Sequence, residues 1–316
     1  MTGSMKNKQL LIELPTWLGD CVMATPAIDN IISIYPDAKI TFLGSLVAIE
    51  AMKYHPQVDR IVVLDKSYLS LYKIAKELGV FDMFFSFRSS SRSKILKFWV
   101  SAQQKFQFSK YQYAHGHQVE KYNNFVNGSL QVENKPGLLK LHQQSSQLSK
   151  KPHHVLGINP GASYGSAKRW YPEKFAKVAE SLSKHYDIVI FGGPGEMDMA
   201  WDIEQALIKA KVDNYQNLAG KTSIVELINH ISTLDLFITG DSGPMHVAAA
   251  FQVPTVAIFG PTKDKETSQW MNTKNAIIKK DLDCQPCMQR TCPLKHHNCM
   301  KHIEADDVLD SIKKLD

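Results

Sequence analysis

Residues Leu234 to Gly260 read LDLFITGDSGPMHVAAAFQVPTVAIFG, and their pattern decides the fold. The apolar run Leu236 to Thr239 stops at Gly240-Asp241-Ser242-Gly243. The small-residue segment Met245 to Ala250 follows, and a second apolar run occupies Thr255 to Phe259. That order is strand, glycine-bracketed turn, helix, strand. A right-handed β-α-β unit puts such a turn at the carboxyl end of a parallel sheet, with free helical N–H groups facing the crevice. Those N–H groups and the positive end of the helix dipole favour an anion, most simply a phosphate. Ser242 adds a hydroxyl donor, and Asp241 and His246 supply polar groups for what the phosphate carries. The competing reading is an ordinary turn with Asp241 or Ser242 as helix cap.

Length sets the number of domains. A chain of 316 residues makes two domains of about 150 residues each. A hydrophobic content of 44% with 22% charged residues is ordinary for a soluble globular protein. No apolar run reaches the ~18 residues of a spanning helix, and the N-terminus lacks signal-peptide patterning, so a cytoplasmic location is expected. Met1-Thr-Gly-Ser-Met5 reads as an appended leader and is left out of fold reasoning. The net charge of +6 suits a phosphorylated substrate or an anionic membrane surface but is too small to indicate nucleic acid.

Upstream of the opening stretch the same pattern repeats. His154 to Ile158 is a strand, and the loop Asn159-Pro-Gly-Ala-Ser-Tyr-Gly-Ser-Ala-Lys-Arg-Trp170 leads to Pro172, which opens a helix. Glycines let backbone N–H groups approach a phosphate, Ser163 offers a hydroxyl, and Lys168 brings a point charge suited to a diphosphate. Asp187 to Phe191 is a strand ending in Gly192-Gly-Pro-Gly-Glu196, where Glu196 is placed to accept hydrogen bonds from a ribose. Ser223-Ile-Val-Glu226 has capping-box spacing. Three turns, after Ile158, Phe191 and Thr239, thus converge on one sheet edge and point to a nucleotide site.

The first half alternates in the same way. Gln9 to Leu14 is a strand and Pro15 to Asp20 a turn into a helix near Cys21 to Tyr35, with Pro26 marking a short first turn before the main helix. Asp20 reads either as a carboxylate favoured beside a helix N-terminus or as a general base projecting into the crevice. Further strands are expected at Lys39 to Leu43, Arg60 to Leu64 and Met83 to Phe87. Ser86 to Lys121 interleaves basic and aromatic residues, Arg88 and Arg92 among them, and suits a phosphorylated sugar or anionic headgroups; a solvated helix face followed by an edge strand is the plainer reading. Asn134 to Lys151, rich in Gln and Ser, reads as an interdomain linker with a short helical turn. Near the C-terminus, Cys284-x2-Cys287-x4-Cys292-x6-Cys299 is a zinc-like spacing, while the compartment argument favours reduced, unmetallated thiols. Ile303 to Leu315 is an amphipathic helix.

The runs LPTWLGDCVMATPAI, NPGASYGSAKRWYPEKFA, FGGPGE, LAGKTSIVELI, GDSGPMHVAAA and CQPCMQRTCPLKHHNCM together resemble the ADP-heptose:lipopolysaccharide heptosyltransferases, glycosyltransferase family 9, and most of all their second-heptose branch. The resemblance is dense in the C-terminal half and weakest from Ser86 to Lys151. It implies an α/β protein of GT-B fold, two Rossmann-like domains facing across a cleft. Residues 5–150 would bind the acceptor, residues 151–302 the ADP-sugar, and residues 303–316 would form a helix packing back on the first domain. It implies Asp20 as base, Ser163, Lys168, Ser242 and Gly243 at the diphosphate, Glu196 at the ribose, and Asp241 and His246 at the heptose. Arg88 and Arg92 become acceptor contacts. The donor would be ADP-heptose and the acceptor heptosyl-Kdo2-lipid A, met by peripheral contact at the cytoplasmic face of the inner membrane. No cofactor is required, and a divalent cation is left open. A first-heptose transferase, another GT-B nucleotide-sugar enzyme such as an epimerase, and a non-catalytic bilobal binding protein are the alternatives. A dinucleotide-dependent oxidoreductase fits less well, because no Gly-x-Gly-x-x-Gly follows the first strand of either half.

Overall fold

The computed structural model describes residues 8–143 and 153–315. It divides into two compact units, residues 1–144 and 145–316. The first runs β1 (Gln9–Glu13), α1 (Leu18–Met23), α2 (Thr25–Ile34), β2 (Lys39–Gly44), α3 (Leu46–Met52), β3 (Val58–Val63), α4 (Tyr68–Glu77), β4 (Val80–Ser86), α5 (Ser91–Trp99), β5 (Ser101–Gln107) and α6 (Gln118–Leu130). The second runs β6 (His154–Asn159), α7 (Pro172–Leu182), β7 (Tyr186–Ile190), α8 (Met197–Lys209), β8 (Tyr215–Asn217), α9 (Ile224–Ile231), β9 (Leu236–Gly240), α10 (Gly243–Ala250), β10 (Thr255–Ile258), α11 (Asp264–Thr267), β11 (Asn275–Ile278), α12 (Asn298–Lys301) and α13 (Ala305–Ile312).

Each unit is built on one parallel sheet. In the first the strand order is β3-β2-β1-β4-β5, and in the second β11-β10-β9-β6-β7-β8. Both orders reverse direction beside the first strand of the unit, between β1 and β4 and between β6 and β9. At such a switch point the two following loops leave on opposite sides and open a crevice at the carboxyl ends of the strands. The sequence supports this arrangement directly. β9 and β10 are buried throughout and β6 is buried after its exposed first residue, His154, as strands covered on both faces must be. Gly157 in β6 is dictated by packing, since a Cβ there would lie 2.4 Å from Leu234 Cδ1 and 2.8 Å from Phe237.

Helix ends follow local chemistry. The Ser45, Ser67 and Ser90 hydroxyls accept from the N–H three residues on and start α3, α4 and α5. Pro26 lies in the first turn of α2 and Ala24 breaks it from α1, as the proline foretells. The capping box at Ser223 and Glu226 is formed. Helix α6 was not foreseen. Its cap is His117, whose ring accepts from Val119 N–H while Glu120 returns to His117 N–H at 2.7 Å, a box built on an imidazole instead of a hydroxyl.

Two expectations are corrected here. The first ten residues of the expected linker, 134–143, contain no helical turn and pack on the first unit. Asn123 and Asn127 hold the Asn134 carbonyl, Lys140 N–H donates to Thr25, and Leu139 and Leu141 are buried. Residues 144–151 of that linker lie outside the described residues. The terminal helix, expected on the first unit, instead seats Ala305 and Val308 in the second unit's core with Trp170, Phe175 and Ile278. Lys174 on α7 fixes it by bonding the Lys301 and Ile303 carbonyls and Glu304.

Candidate functional site

In the second unit the switch point brings the ends of β6 and β9 together, with Asn159 opposite Thr239. Asn159 Nδ2 lies 3.3 Å from the Gly161 carbonyl and 3.5 Å from Ser242 Oγ, and Thr239 Oγ1 is 3.0 Å from Ser242 Oγ. Ser242 is the N-cap residue of α10 but makes no capping bond to its own helix. The side-chain cap reading therefore fails for Ser242; Met245 N–H is bonded to the Ser242 carbonyl at 3.2 Å, which leaves Gly243 N–H as the first-turn donor at this helix start. Pro244 stands in that first turn, where its missing N–H costs nothing.

Lys168, at the end of the short 3-10 turn Ser166–Lys168, crosses to this helix start. Its Nζ is 2.6 Å from Asp241 Oδ2 and 3.3 Å from the Asp241 carbonyl, and it lies over the Tyr164 ring at 4.7 Å. Thr262, just beyond β10, donates to the same Asp241 oxygen at 2.6 Å, and Thr267 is 3.5 Å from the other. With both side chains largely buried, the ion pair is desolvated. Such pairs hold position because removing one partner strands the other charge. The result is an ammonium fixed beside the N-terminus of an α-helix. Both groups attract a diphosphate.

The third turn joins through Glu196. Its carboxylate accepts from Gly193 N–H at 2.7 Å and is buried, and it presses on Gly161 so closely that a Cβ there would lie 2.0 Å from Glu196 Cδ. Arg169 also donates to the Gly195 carbonyl at 3.2 Å. Thus Lys168, Asp241, Ser242 and Gly243 form one group, and Glu196 is locked to the same glycine-rich loop. Ser163 is exposed on that loop, and His246 is buried in α10.

The cysteine-rich segment braces the loop from behind. Tyr164 OH donates to the Met288 carbonyl at 2.6 Å, Ala167 N–H to the Arg290 carbonyl at 3.0 Å, and Trp170 Nε1 to the Ile303 carbonyl at 3.0 Å. Gly165 is demanded by this contact, since a Cβ would lie 2.3 Å from the Arg290 oxygen. Cys284, Cys287, Cys292 and Cys299 are free thiols. Burial first, and then the neighbouring Cys292, Cys284 and Cys287, push the Cys299 thiol up to about 11. Among the described residues no group of His, Cys, Asp or Glu is arranged to hold a metal ion.

In the first unit, β1 and β4 are neighbours with Glu13 opposite Ser86, so the turns carrying Asp20 and Arg88 leave adjacent strands at one sheet edge. Asp20 lies in the first turn of α1. The Tyr122 hydroxyl on α6 is hydrogen-bonded to Asp20 and to the Gln118 side chain; burial first, and then the charge of Asp20, hold its phenol well above the usual range. Tyr122 is itself packed against Phe87 and Phe108. Arg88 Nη1 is 3.4 Å from Glu13 Oε1, and Glu13 also accepts from Ser86 at 2.5 Å and Ser93 at 2.8 Å. Burial raises the Glu13 carboxyl despite these partners. Arg92 is otherwise engaged: its guanidinium donates to the Asp65, Lys66 and Ser67 carbonyls, staples the loop after β3, and leaves Arg88 as the arginine nearer the switch point. Tyr122, Glu13 and Thr262 were missed from sequence. For Thr262 a signal was present, because Gly260-Pro-Thr262 ends a strand at the same sheet edge. Tyr122 had none without α6.

Two parallel Rossmann-like units, one carrying an anion-directed pair of loops at its switch point, are the architecture of a GT-B glycosyltransferase. The sequence profile described as glycosyltransferase family 9 (heptosyltransferase) matches residues 85–298. Over 97% of this chain and 98% of the other, the sequence is 44% identical to lipooligosaccharide heptosyltransferase 2 of Campylobacter jejuni. The chain belongs to glycosyltransferase family 9, the heptosyltransferases. Its fold is that of solved members. A glycosyl transferase family 9 structure from Veillonella parvula superposes with a TM-score of 0.82 at 21% identity, covering 99% of this chain and 98% of that one. The Escherichia coli ADP-heptose lps heptosyltransferase II does so with 0.80 at 21% identity, covering 97% and 98%.

Proposed function

We propose that the protein is an inverting glycosyltransferase that moves heptose from ADP-heptose onto the first heptose of a lipopolysaccharide or lipooligosaccharide inner core, at the cytoplasmic face of the inner membrane. The observation that carries this reading, given the family, is the Lys168 ammonium held by Asp241 at the start of α10. As the bond from the anomeric carbon to ADP breaks, negative charge grows on the diphosphate. Lys168, Ser242 and the Gly243 N–H at the start of α10 stabilise it where it develops. Glu196 would take the ribose hydroxyls, and Asp241 and His246 would orient the heptose. Asp241 therefore does two things, setting Lys168 and facing the sugar.

Asp20 takes the proton of the acceptor hydroxyl as that oxygen attacks. Arg88, held by Glu13, engages an acidic group of the acceptor. Tyr122 orients the Asp20 carboxylate and, by donating to it, favours its charged form. Tyr122→Phe removes that donor, so the Asp20 proton is held more tightly. The sign is upward: the acidic limb of kcat/KM against pH should move to higher pH, with turnover on the neutral plateau close to wild type and ADP affinity unchanged. An unmoved limb would leave Tyr122 as packing only.

The test of the reaction is mass spectrometry of products from ADP-heptose with singly heptosylated Kdo2-lipid A, run beside unheptosylated Kdo2-lipid A. Gain of one heptose on the former alone is the expected result. Gain on the latter would make the protein a first-heptose transferase, and gain on neither would sink the transfer reading.

A further inference from the structure

The outer surface of α4 and α5 combines exposed apolar side chains with exposed lysines. Both helices cover one face of the sheet, with Leu71, Ala75 and Leu96 buried in the core beneath them. Their opposite sides expose large apolar groups: Leu69 is 76% exposed, Phe98 80%, Tyr68 52% and Tyr72 44%. Lys66, Lys73, Lys76 and Lys94 are exposed among them and Lys97 is half-buried. Glu77 is the one exposed acid between residues 66 and 99. The helices pack side by side, with Tyr72 against Trp99 at 5.2 Å and Arg92 over Tyr68 at 5.1 Å, so they present one surface.

Water is a poor partner for that much contiguous apolar surface, and a ring of lysines is a poor partner for another basic surface. We propose that the α4–α5 face docks on an anionic lipid bilayer, with Leu69 and Phe98 entering the headgroup boundary and Lys73, Lys76 and Lys94 pairing with lipid phosphates. Aromatic and leucine side chains beside lysines are the composition of an interfacial surface, and lysine stems add apolar contact while the ammonium stays at headgroup level. Topology gives the contact its use. α4 and α5 each follow a parallel strand, so their first turns lie at the carboxyl edge of the sheet, the edge that carries Asp20 and Arg88. A lipid-anchored acceptor would meet that edge without leaving its membrane. This use rests on the transfer reading above; the docking does not.

The experiment is co-sedimentation of the whole protein with vesicles of phosphatidylglycerol and phosphatidylethanolamine, and with vesicles of phosphatidylcholine alone. Binding is expected to the anionic vesicles, weakening as salt is raised. The double variants Lys73→Glu/Lys94→Glu and Leu69→Ser/Phe98→Ser change exposed positions only. Each is expected to lower partitioning at least about tenfold while turnover of a detergent-dispersed acceptor stays at the wild-type level. Absent binding, or binding that both variants retain, overturns the proposal. So does sedimentation of the wild type as a dimer that Phe98→Ser dissociates, which would give the face to a second copy of the chain. Vesicle binding without any transfer would leave docking standing and sink the reaction assignment alone.

Discussion

Asp20→Ala is expected to lower turnover by about 10²- to 10⁴-fold, the usual contribution of a positioned general base, with ADP affinity within a factor of two of wild type. The separation follows from placement. Asp20 sits in the first turn of α1 in the first unit, and the ion pair proposed to meet the diphosphate lies entirely in the second. The alanine also removes a partner of the buried Tyr122 hydroxyl, so a fall in thermal stability should accompany it. Steady-state turnover with calorimetric ADP titration checks both parts. A variant with ordinary turnover would take the base role away from Asp20.

Lys168→Ala should have the second large effect, on two quantities at once. ADP binding is expected to weaken about 10- to 100-fold, corresponding to the ~1.4–2.8 kcal/mol of one strong charged contact. The second unit should also lose stability, by up to about 3–5 kcal/mol if the buried Asp241 carboxylate is left with its threonine partners alone. The two losses separate in Lys168→Ala/Asp241→Asn. The asparagine can still accept from Thr262 and carries no charge, so unfolding should return toward wild type while ADP remains weakly bound. Recovery of both would make the pair purely structural, and unchanged ADP affinity in the single variant would remove Lys168 from the diphosphate.

Much of the architecture was legible because both units obey simple periodicity. Apolar runs of four to six residues ending in glycine, proline or aspartate mark β1, β2, β6, β7, β9 and β10, and the convergence of three turns on one edge of the second sheet follows from parallel topology. What stayed hidden depends on partners distant in sequence. Strands β8 and β11 are the two edges of the second sheet and only partly buried, so no fully apolar run declares them. Arg88 and Arg92 look alike in a basic stretch, yet Glu13 holds one and three backbone carbonyls hold the other. No local rule separates them. Asp241 was read as a sugar contact. Its bond to Lys168, 73 residues away, appears only once the sheet has brought β6 beside β9. The cysteine pattern suggested a site in its own right, and the segment that bears it is also a brace for the glycine-rich loop.

The indole of Trp170 sets a limit on how this chain can be dissected. It is 1% exposed, and its N–H is satisfied by the carbonyl of Ile303, 133 residues downstream. A fragment of the second unit that stops at 302, where sequence alone drew the boundary, would leave that donor without its acceptor, at a cost of about 1–3 kcal/mol, and would uncover the core that Ala305 and Val308 fill. The workable cut for crystallisation or for grafting this unit onto another first unit therefore runs through 315, and α13 travels with the second unit in any chimera.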